Sequence, residues 1–547
     1  MTCLLVRPTS VKRTLCTLLA ACLVAGACEQ PPPAVTPDPA DPNGEIHTAL
    51  SADPQVIDPQ KASVRDEIAQ TLMVYEPLLT FDPQSLRPIP AAARALPEVS
   101  PDGLTVTFTL RDGLMYSDGT PVRAEDFVNG WTRLCDPTVA GDYAFMGYAI
   151  SGCERWNNMD PKRATPSELA AAGADLGVRA LGEHRIQFAL TRPASYFLAI
   201  AALWVGAPVR SSDVSAGGDR WTDPRTYIGN GPFKLVERTT GARLVYERNE
   251  RYRSPVKLKR WTKLVVPDPA VQAAAFERRE LDVISVGRDD PASVTVSNAT
   301  TFFFGFNTQR PPFDDPSVRL AFARSLDREM LIREVVDQPA RVWSSLIAPG
   351  LPGADPDDAT QSFDPVAAKA LLSSSRYAGK LPPVRFRYLY RGNAIAMVKW
   401  AIAQWRGVLG VEVLDDPVFP GASGPLIKSP EGIPQLFFLG WYGDYPDPHT
   451  WLSEIFRSTA TITRTGYKSA EFDSLVDQAD VERDPTRQAQ LFRSAQRLLT
   501  RDAPAAFLYA SERRIRVSAR LRGYVATPTD GEVAQAALAS LQTTRSQ

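Results

Sequence analysis

The stretch Gln435-Leu-Phe-Phe-Leu-Gly-Trp-Tyr-Gly-Asp-Tyr-Pro-Asp-Pro-His-Thr-Trp-Leu carries an apolar run straight into a knot of aromatic side chains and two carboxylates. The two acids differ in kind. Asp447 precedes Pro448 and a helix-like segment over Thr450 to Phe456, so it reads as an N-cap with proline at the first helical position. Asp444 stands between Gly443 and Tyr445, beside Trp441 and Tyr442, where a carboxylate is costly unless it is paired. A cationic group of a ligand, the residue's own turn backbone, or one of the chain's many arginines would each satisfy it.

Machinery for bond-breaking does not show itself. Three histidines, His47, His184 and His449, leave little material for a zinc site or a His-based catalytic cluster. Ser254-Pro-Val-Lys257 matches a bare Ser-x-x-Lys pattern without the Ser-Asp-Asn and Lys-Thr-Gly partners that such an enzyme needs. Gly229-Asn-Gly-Pro-Phe lacks a following Gly-Lys-Ser/Thr and dinucleotide spacing, so it reads as a turn into a strand rather than a phosphate cradle. We therefore expect no catalytic residues, no metal and no cofactor.

The elements that must position Asp444 belong to a large, folded chain. Of 547 residues, 44% are hydrophobic and 22% charged, ordinary globular usage that excludes wholesale disorder. Lys plus Arg number 61 against 62 for Asp plus Glu, so no positive field exists to hold a nucleic acid.

Short strand-like runs (Leu104 to Leu110, Leu244 to Glu247) alternate with helical ones (Ala270 to Arg279, Val318 to Ile332), which predicts a mixed α/β fold. Asp315 and Pro316 cap a helix whose face carries Val318, Phe322 and Leu326. Thr301-Phe-Phe-Phe-Gly-Phe and Ala505-Ala-Phe-Leu-Tyr-Ala read as buried strands. The apolar segment Tyr196 to Val209 holds Gly206 and Pro208 and is short for a membrane span, so it reads as core.

The first residues set the compartment. Residues 1–27 carry Arg7, Lys12 and Arg13, no acid, and an apolar run ending in small residues, the pattern of a secretory signal. Ala25-Gly-Ala-Cys28 and Leu19-Ala-Ala-Cys22 both resemble a lipoprotein processing site. Cys28 is the preferred lipidation residue because polar Glu29-Gln30 and then three prolines follow it, with Cys22 the alternative. A proline-rich tether follows over 28–45. Beyond Cys28 only Cys135 and Cys153 remain in an oxidising compartment, either bonded to each other or buried as thiols; the pairing is the expectation.

Several runs resemble, in order, the extracytoplasmic solute-binding proteins of peptide ABC transporters. They are Asp53-Pro-Gln-Val-Ile-Asp-Pro, Val74-Tyr-Glu-Pro-Leu-Leu, Phe108-Thr-Leu-Arg-Asp-Gly-Leu-Met-Tyr-Ser-Asp-Gly-Thr-Pro-Val-Arg-Ala-Glu-Asp-Phe-Val, Gly229-Asn-Gly-Pro-Phe-Lys-Leu, Ala273-Ala-Ala-Phe-Glu-Arg-Arg-Glu-Leu-Asp-Val, Phe306-Asn-Thr with Pro312-Phe-Asp-Asp, Gly440-Trp-Tyr-Gly-Asp-Tyr-Pro-Asp-Pro and Tyr467-Lys-Ser-Ala-Glu-Phe-Asp. The resemblance covers most of 46–525.

It implies two α/β lobes joined by two crossing hinge strands, with lobe one at 46–304 (an inserted subdomain at about 83–185), lobe two at 305–507, and a return to lobe one over 508–547. It further implies a peptide held between the lobes, its α-amino group paired with Asp444, and delivery to ABC permease subunits by a lipid-anchored, monomeric receptor outside the cytoplasm. Trp441, Tyr442, Asn230, Tyr75 and Glu76 fall on or beside cleft segments of such proteins, and Tyr509 lies near the second crossing; each position also fits core or turn. Pro77 and Gly443 depart from the glycine and alanine common there. Ala396 and Phe438, with Lys428 only nearby, stand where oligopeptide binders place partners for the peptide's carboxylate, so ligand length stays open. The same fold with a saccharide, nickel complex or haem as ligand, or a secreted hydrolase, are the rival readings.

Overall fold

The computed structural model describes residues 44–419, 434–460, 465–529 and 532–543. The expected signal, both lipidation candidates Cys28 and Cys22, nearly all of the tether, and Lys428 lie outside the described residues.

Among the described residues, eleven strands form one sheet. Its path runs Val413–Val418, Val384–Leu389, Leu436–Tyr442, Val294–Phe306, Ala505–Val517, Val283–Val286, Glu45–Leu50, Arg260–Val265, Arg243–Arg248 and Phe233–Thr239, with Ala340–Val342 added to Ala505–Val517. The two central members, each 13 residues, serve both halves. The first half of Val294–Phe306 pairs with Ala505–Val517 at Val294↔Ile515. Its second half pairs with Leu436–Tyr442 at Thr301↔Trp441. The far end of Ala505–Val517 pairs with Val283–Val286. These are the two crossing strands of a two-lobed α/β fold.

Their residues explain their length and rigidity. Phe303, Phe304 and Phe306 are fully buried. Gly305 faces Phe437 and Gly440 faces Phe302, and a Cβ on either glycine would come within 2.3 and 2.6 Å of the opposing ring. Aromatic rings thus lie over bare glycine backbone and pin the register.

The insert in lobe one is a small antiparallel sheet, Glu98–Val99, Thr105–Thr109, Arg185–Ala189 and Val178–Ala180, covered by the helix Ala124–Cys135. Trp131 on that helix meets Phe188 edge to face at 5.4 Å, and Phe108 meets Phe188 at 5.9 Å. Cys135, at the end of the helix, is bonded to Cys153, with the Cα atoms 5.2 Å apart. Tyr196 to Val209 forms a short helix, Phe197–Ile200, and a turn, Trp204–Gly206, both buried.

The expected helix from Val318 to Ile332 is two helices, Pro316–Arg324 and Arg328–Glu334. Apolar spacing continues through Leu326, but Asp327 accepts a hydrogen bond from the Met330 amide at 3.0 Å and starts a new helix. Asp315 caps the first of the pair through the Ser317 amide at 2.8 Å, as its sequence position predicts.

Away from the crossing strands, the lobes also meet at Ser195. Its amide and hydroxyl both donate to the Asp480 carbonyl at 2.8 Å, and the next residue, Tyr196, stacks on His449 at 3.5 Å. His449 is in turn bound through Nδ1 to the Asp480 carboxylate at 2.7 Å.

The Cys135–Cys153 bond closes an 18-residue separation, which is worth about 3 kcal/mol by loop-closure entropy. Replacing both cysteines by serine lowers stability by about that amount, read as a lower unfolding midpoint in urea, and reductant produces the same drop only in the wild type.

Candidate functional site

The strand Leu436–Tyr442 ends against the first crossing strand, where Gly443 donates its amide to the Ala299 carbonyl at 2.9 Å. Gly443 also lies flat on the indole of Trp451; a Cβ there would come within 2.5 Å of the ring nitrogen. That contact explains why glycine rather than alanine precedes Asp444. On the other side, the fully buried Tyr445 donates its hydroxyl to Glu454 at 2.7 Å. Asp447 accepts from the His449 amide at 2.9 Å and caps the 3-10 turn Pro448–Thr450, the structural role its sequence predicts. The turn bearing Asp444 is therefore fixed at both ends.

Asp444 projects from this turn toward lobe one. Its Oδ1 accepts a 2.9 Å hydrogen bond from the hydroxyl of Tyr143, which belongs to the insert. Tyr143 is held edge-on to Trp204 at 5.1 Å and stacked on Phe145 at 5.5 Å. No Lys, Arg or His among the described residues makes an ion pair with Asp444. Burial, and secondarily the negative charge of Glu454, push the carboxyl from its ordinary 3.8 up to about 7, against the opposing pull of the Tyr143 hydroxyl. A positive charge brought beside an acid in this condition would stabilise its ionised form.

Trp441 and Tyr442 lie on the strand leading to it. Trp441 packs partly buried on the lobe-two core, and its indole N–H is buried without a protein acceptor. Tyr442 donates to the Thr529 carbonyl at 3.3 Å and carries the guanidinium of Arg65 over its ring at 5.1 Å.

The other four sequence candidates are held by protein partners. Tyr75 is 2% exposed, donates to the Ile228 carbonyl at 3.0 Å and meets Tyr227 edge to face. The buried Glu76 carboxylate is taken by Arg253 at 2.8 Å and by the Tyr252 hydroxyl. Asn230 closes a pair of 3.0 Å hydrogen bonds with the backbone of Glu76. Gly229 and Gly231 flank it because the Val74 carbonyl lies where their Cβ atoms would be. Tyr509 is 1% exposed and stacks on Phe302 at 4.8 Å. All four side chains are spent inside the wall. Sequence position places them near the cleft, but packing decides which way each side chain points: Tyr75 follows the helix Arg65–Val74, Glu76 and Asn230 lie in connecting segments, and Tyr509 lies on the strand Ala505–Val517.

Tyr143 and Arg65 were not found from sequence. Neither lies in a motif, and Tyr143 is 301 residues from the acid it touches. The local signal is the aromatic pair Tyr143 and Phe145 at the start of the short apolar turn Ala144–Ala149.

Comparison with known proteins accords with this geometry. Escherichia coli MppA, a periplasmic murein peptide-binding protein, is 28% identical over 537 residues, covering 94% of this chain and 96% of its own. The periplasmic oligopeptide-binding protein OppA of Salmonella typhimurium is 28% identical over 478 residues, 83% and 85% of the two chains. The structure overlays on the unliganded open form of the murein tripeptide-binding protein MppA with a TM-score of 0.79 at 25% identity, over 92% of this chain and 98% of that one. On a second structure, that of the Escherichia coli murein tripeptide binding protein MppA, the score is 0.69. Residues 87–462 match the model for the middle region of the bacterial extracellular solute-binding proteins, family 5, and the chain belongs to that family.

Proposed function

We propose that this chain is the lipid-tethered receptor of an ABC importer, which captures peptides between its lobes and hands them to a membrane permease without a chemical step. The observation that carries this reading is Asp444: a carboxylate at the meeting of the lobes with a neutral hydroxyl partner and no cation of its own. A peptide's α-ammonium supplies the missing charge, and closure dries the contact and strengthens it.

Trp441 and Tyr442 flank the amine site, and the ligand backbone bonds along the cleft wall in the manner of an added strand. Tyr75, Glu76, Asn230 and Tyr509 act behind this surface by holding its shape. The names of the relatives, which bind oligopeptides and murein peptides, support the ligand class. The two crossing strands shared by both lobes support capture by hinge closure. Cys28, with Cys22 as the alternative, carries the lipid, and the tether lets a monomeric receptor work outside the cytoplasm.

Calorimetric titration tests the amine anchor. A free oligopeptide binds the wild type, whereas its N-acetylated form and the Asp444→Asn variant with the free peptide each lose about 2–4 kcal/mol. A saccharide receptor would bind its ligand without regard to this acid, and equal binding of free and acetylated peptide overturns the reading. A hydrolase would release cleavage products, visible by mass spectrometry.

The carboxyl's position near 7 adds a pH signature. An ammonium needs the ionised acid, so peptide affinity falls as pH drops below about 7, by up to about tenfold per unit until the complex itself takes up the proton. Asp444→Asn flattens that profile. For the empty protein the sign is opposite. A folded-state pKa above the ordinary 3.8 gives a contribution to stability that is complete below about pH 4 and lost as pH rises through 7. Thermal unfolding therefore shows wild type losing ground to Asp444→Asn across that window.

A further inference from the structure

We propose that Arg65 is a second charge anchor of this site, receiving a ligand carboxylate carried a short distance from the α-ammonium. The assignment deepens the peptide-receptor reading above and rests on it.

Arg65 opens the lobe-one helix Arg65–Val74 and reaches toward the other lobe. Its guanidinium carbon lies 5.1 Å over the ring of Tyr442, and Nη1 donates to the side-chain oxygen of Asn298 at 3.2 Å. Asn298 is presented by an irregularity in the first crossing strand, where pairing shifts between Ser297 and Thr301 and Ala299 takes a φ of +48°. The guanidinium is thus oriented by an aromatic face and one neutral amide.

A guanidinium has five N–H donors, and this one has a single hydrogen bond among the described residues and no carboxylate within ion-pair distance. Four other arginines with largely buried side chains are matched to acids, Arg133 to Asp58, Arg253 to Glu76, Arg457 to Asp480 and Arg520 to Asp282, while Arg111, Arg238 and Arg328 are instead satisfied by backbone carbonyls. Arg65 is held in place and left uncompensated. Its neighbour Asp66 feels its charge only at longer range, and burial raises that acid's own pKa.

Position makes the vacancy useful. Tyr442 is two residues before Asp444, so their Cα atoms are within about 7 Å. An unmatched cation from lobe one and an unmatched anion from lobe two therefore border the same strand end. A ligand presenting only an ammonium meets Arg65 as a like charge, while one that adds a carboxylate nearby satisfies both. Extended peptide advances about 3.4 Å per residue, so the carboxylate comes either from an acidic side chain early in the peptide or from the chain end of a di- or tripeptide. The planar fork suits a bidentate contact with either.

Calorimetry on two peptide pairs distinguishes the sources. One pair is a C-terminally amidated hexa-alanine peptide with Glu or Gln at its second position; the other is dialanine with a free or an amidated C-terminus. Wild type prefers the acid member of at least one pair by about ten- to a hundredfold, the worth of a hydrogen-bonded charge contact. Preference in the first pair assigns the side chain, and preference in the second assigns the chain end.

In Arg65→Gln the preference falls to about one, and Arg65→Lys, with charge but no fork, retains part of it. Thermal unfolding of both variants confirms that they fold. An unchanged ratio in Arg65→Gln, or no preference in wild type for either pair, overturns the assignment while leaving the peptide reading in place. Failure of wild type to bind any of the four peptides overturns the peptide reading, and this assignment with it.

Discussion

Among the described residues no cation pairs with the Asp444 carboxylate, and the structure around it depends on holding it in that state. Burying such a group is unfavourable, and the chain concentrates rigid structure around Asp444 to keep it there: Gly443 lies flat on Trp451, Tyr445 is tied to Glu454, and Asp447 caps the turn that follows. Each of these contacts removes a way for the acid to relax toward solvent. The partner it does have, the Tyr143 hydroxyl, comes from the other lobe, so the local electrostatic problem is also a statement about how the two halves are placed.

The crossing strands set that placement. They are two neighbours in one sheet, stiffened by phenyl rings lying over glycine, and they share their pairing between both lobes. Near the rim the ladder of the first strand breaks at Ala299, whose carbonyl holds Gly443 and whose neighbour Asn298 holds Arg65. One irregularity therefore coordinates the acidic turn of lobe two with the basic residue of lobe one.

Much of this was legible in the sequence, and the failures have physical causes. The aromatic strands at Thr301 and Ala505, the cap at Asp447 and the turn that carries Asp444 follow from local rules, since each depends on residues within a few positions. The helix break after Arg324 was hidden because the apolar face continues through Leu326 while a single capping side chain decides the geometry. The side chains of Tyr75, Glu76, Asn230 and Tyr509 take partners far away in sequence or pack on distant rings, so their surroundings could not be read from their own motifs. Tyr143 and Arg65 act through contacts separated by hundreds of residues, and nothing in their flanking sequence records those contacts.

The neutral partner of Asp444 has a consequence for traffic. Among the described residues a phenol is its single hydrogen-bond partner, so removing the remaining water from an empty cleft disfavours the ionised acid and favours uptake of a proton. On the importer reading proposed above, the side chain that holds the ligand would also mark the difference between a loaded and a vacant carrier.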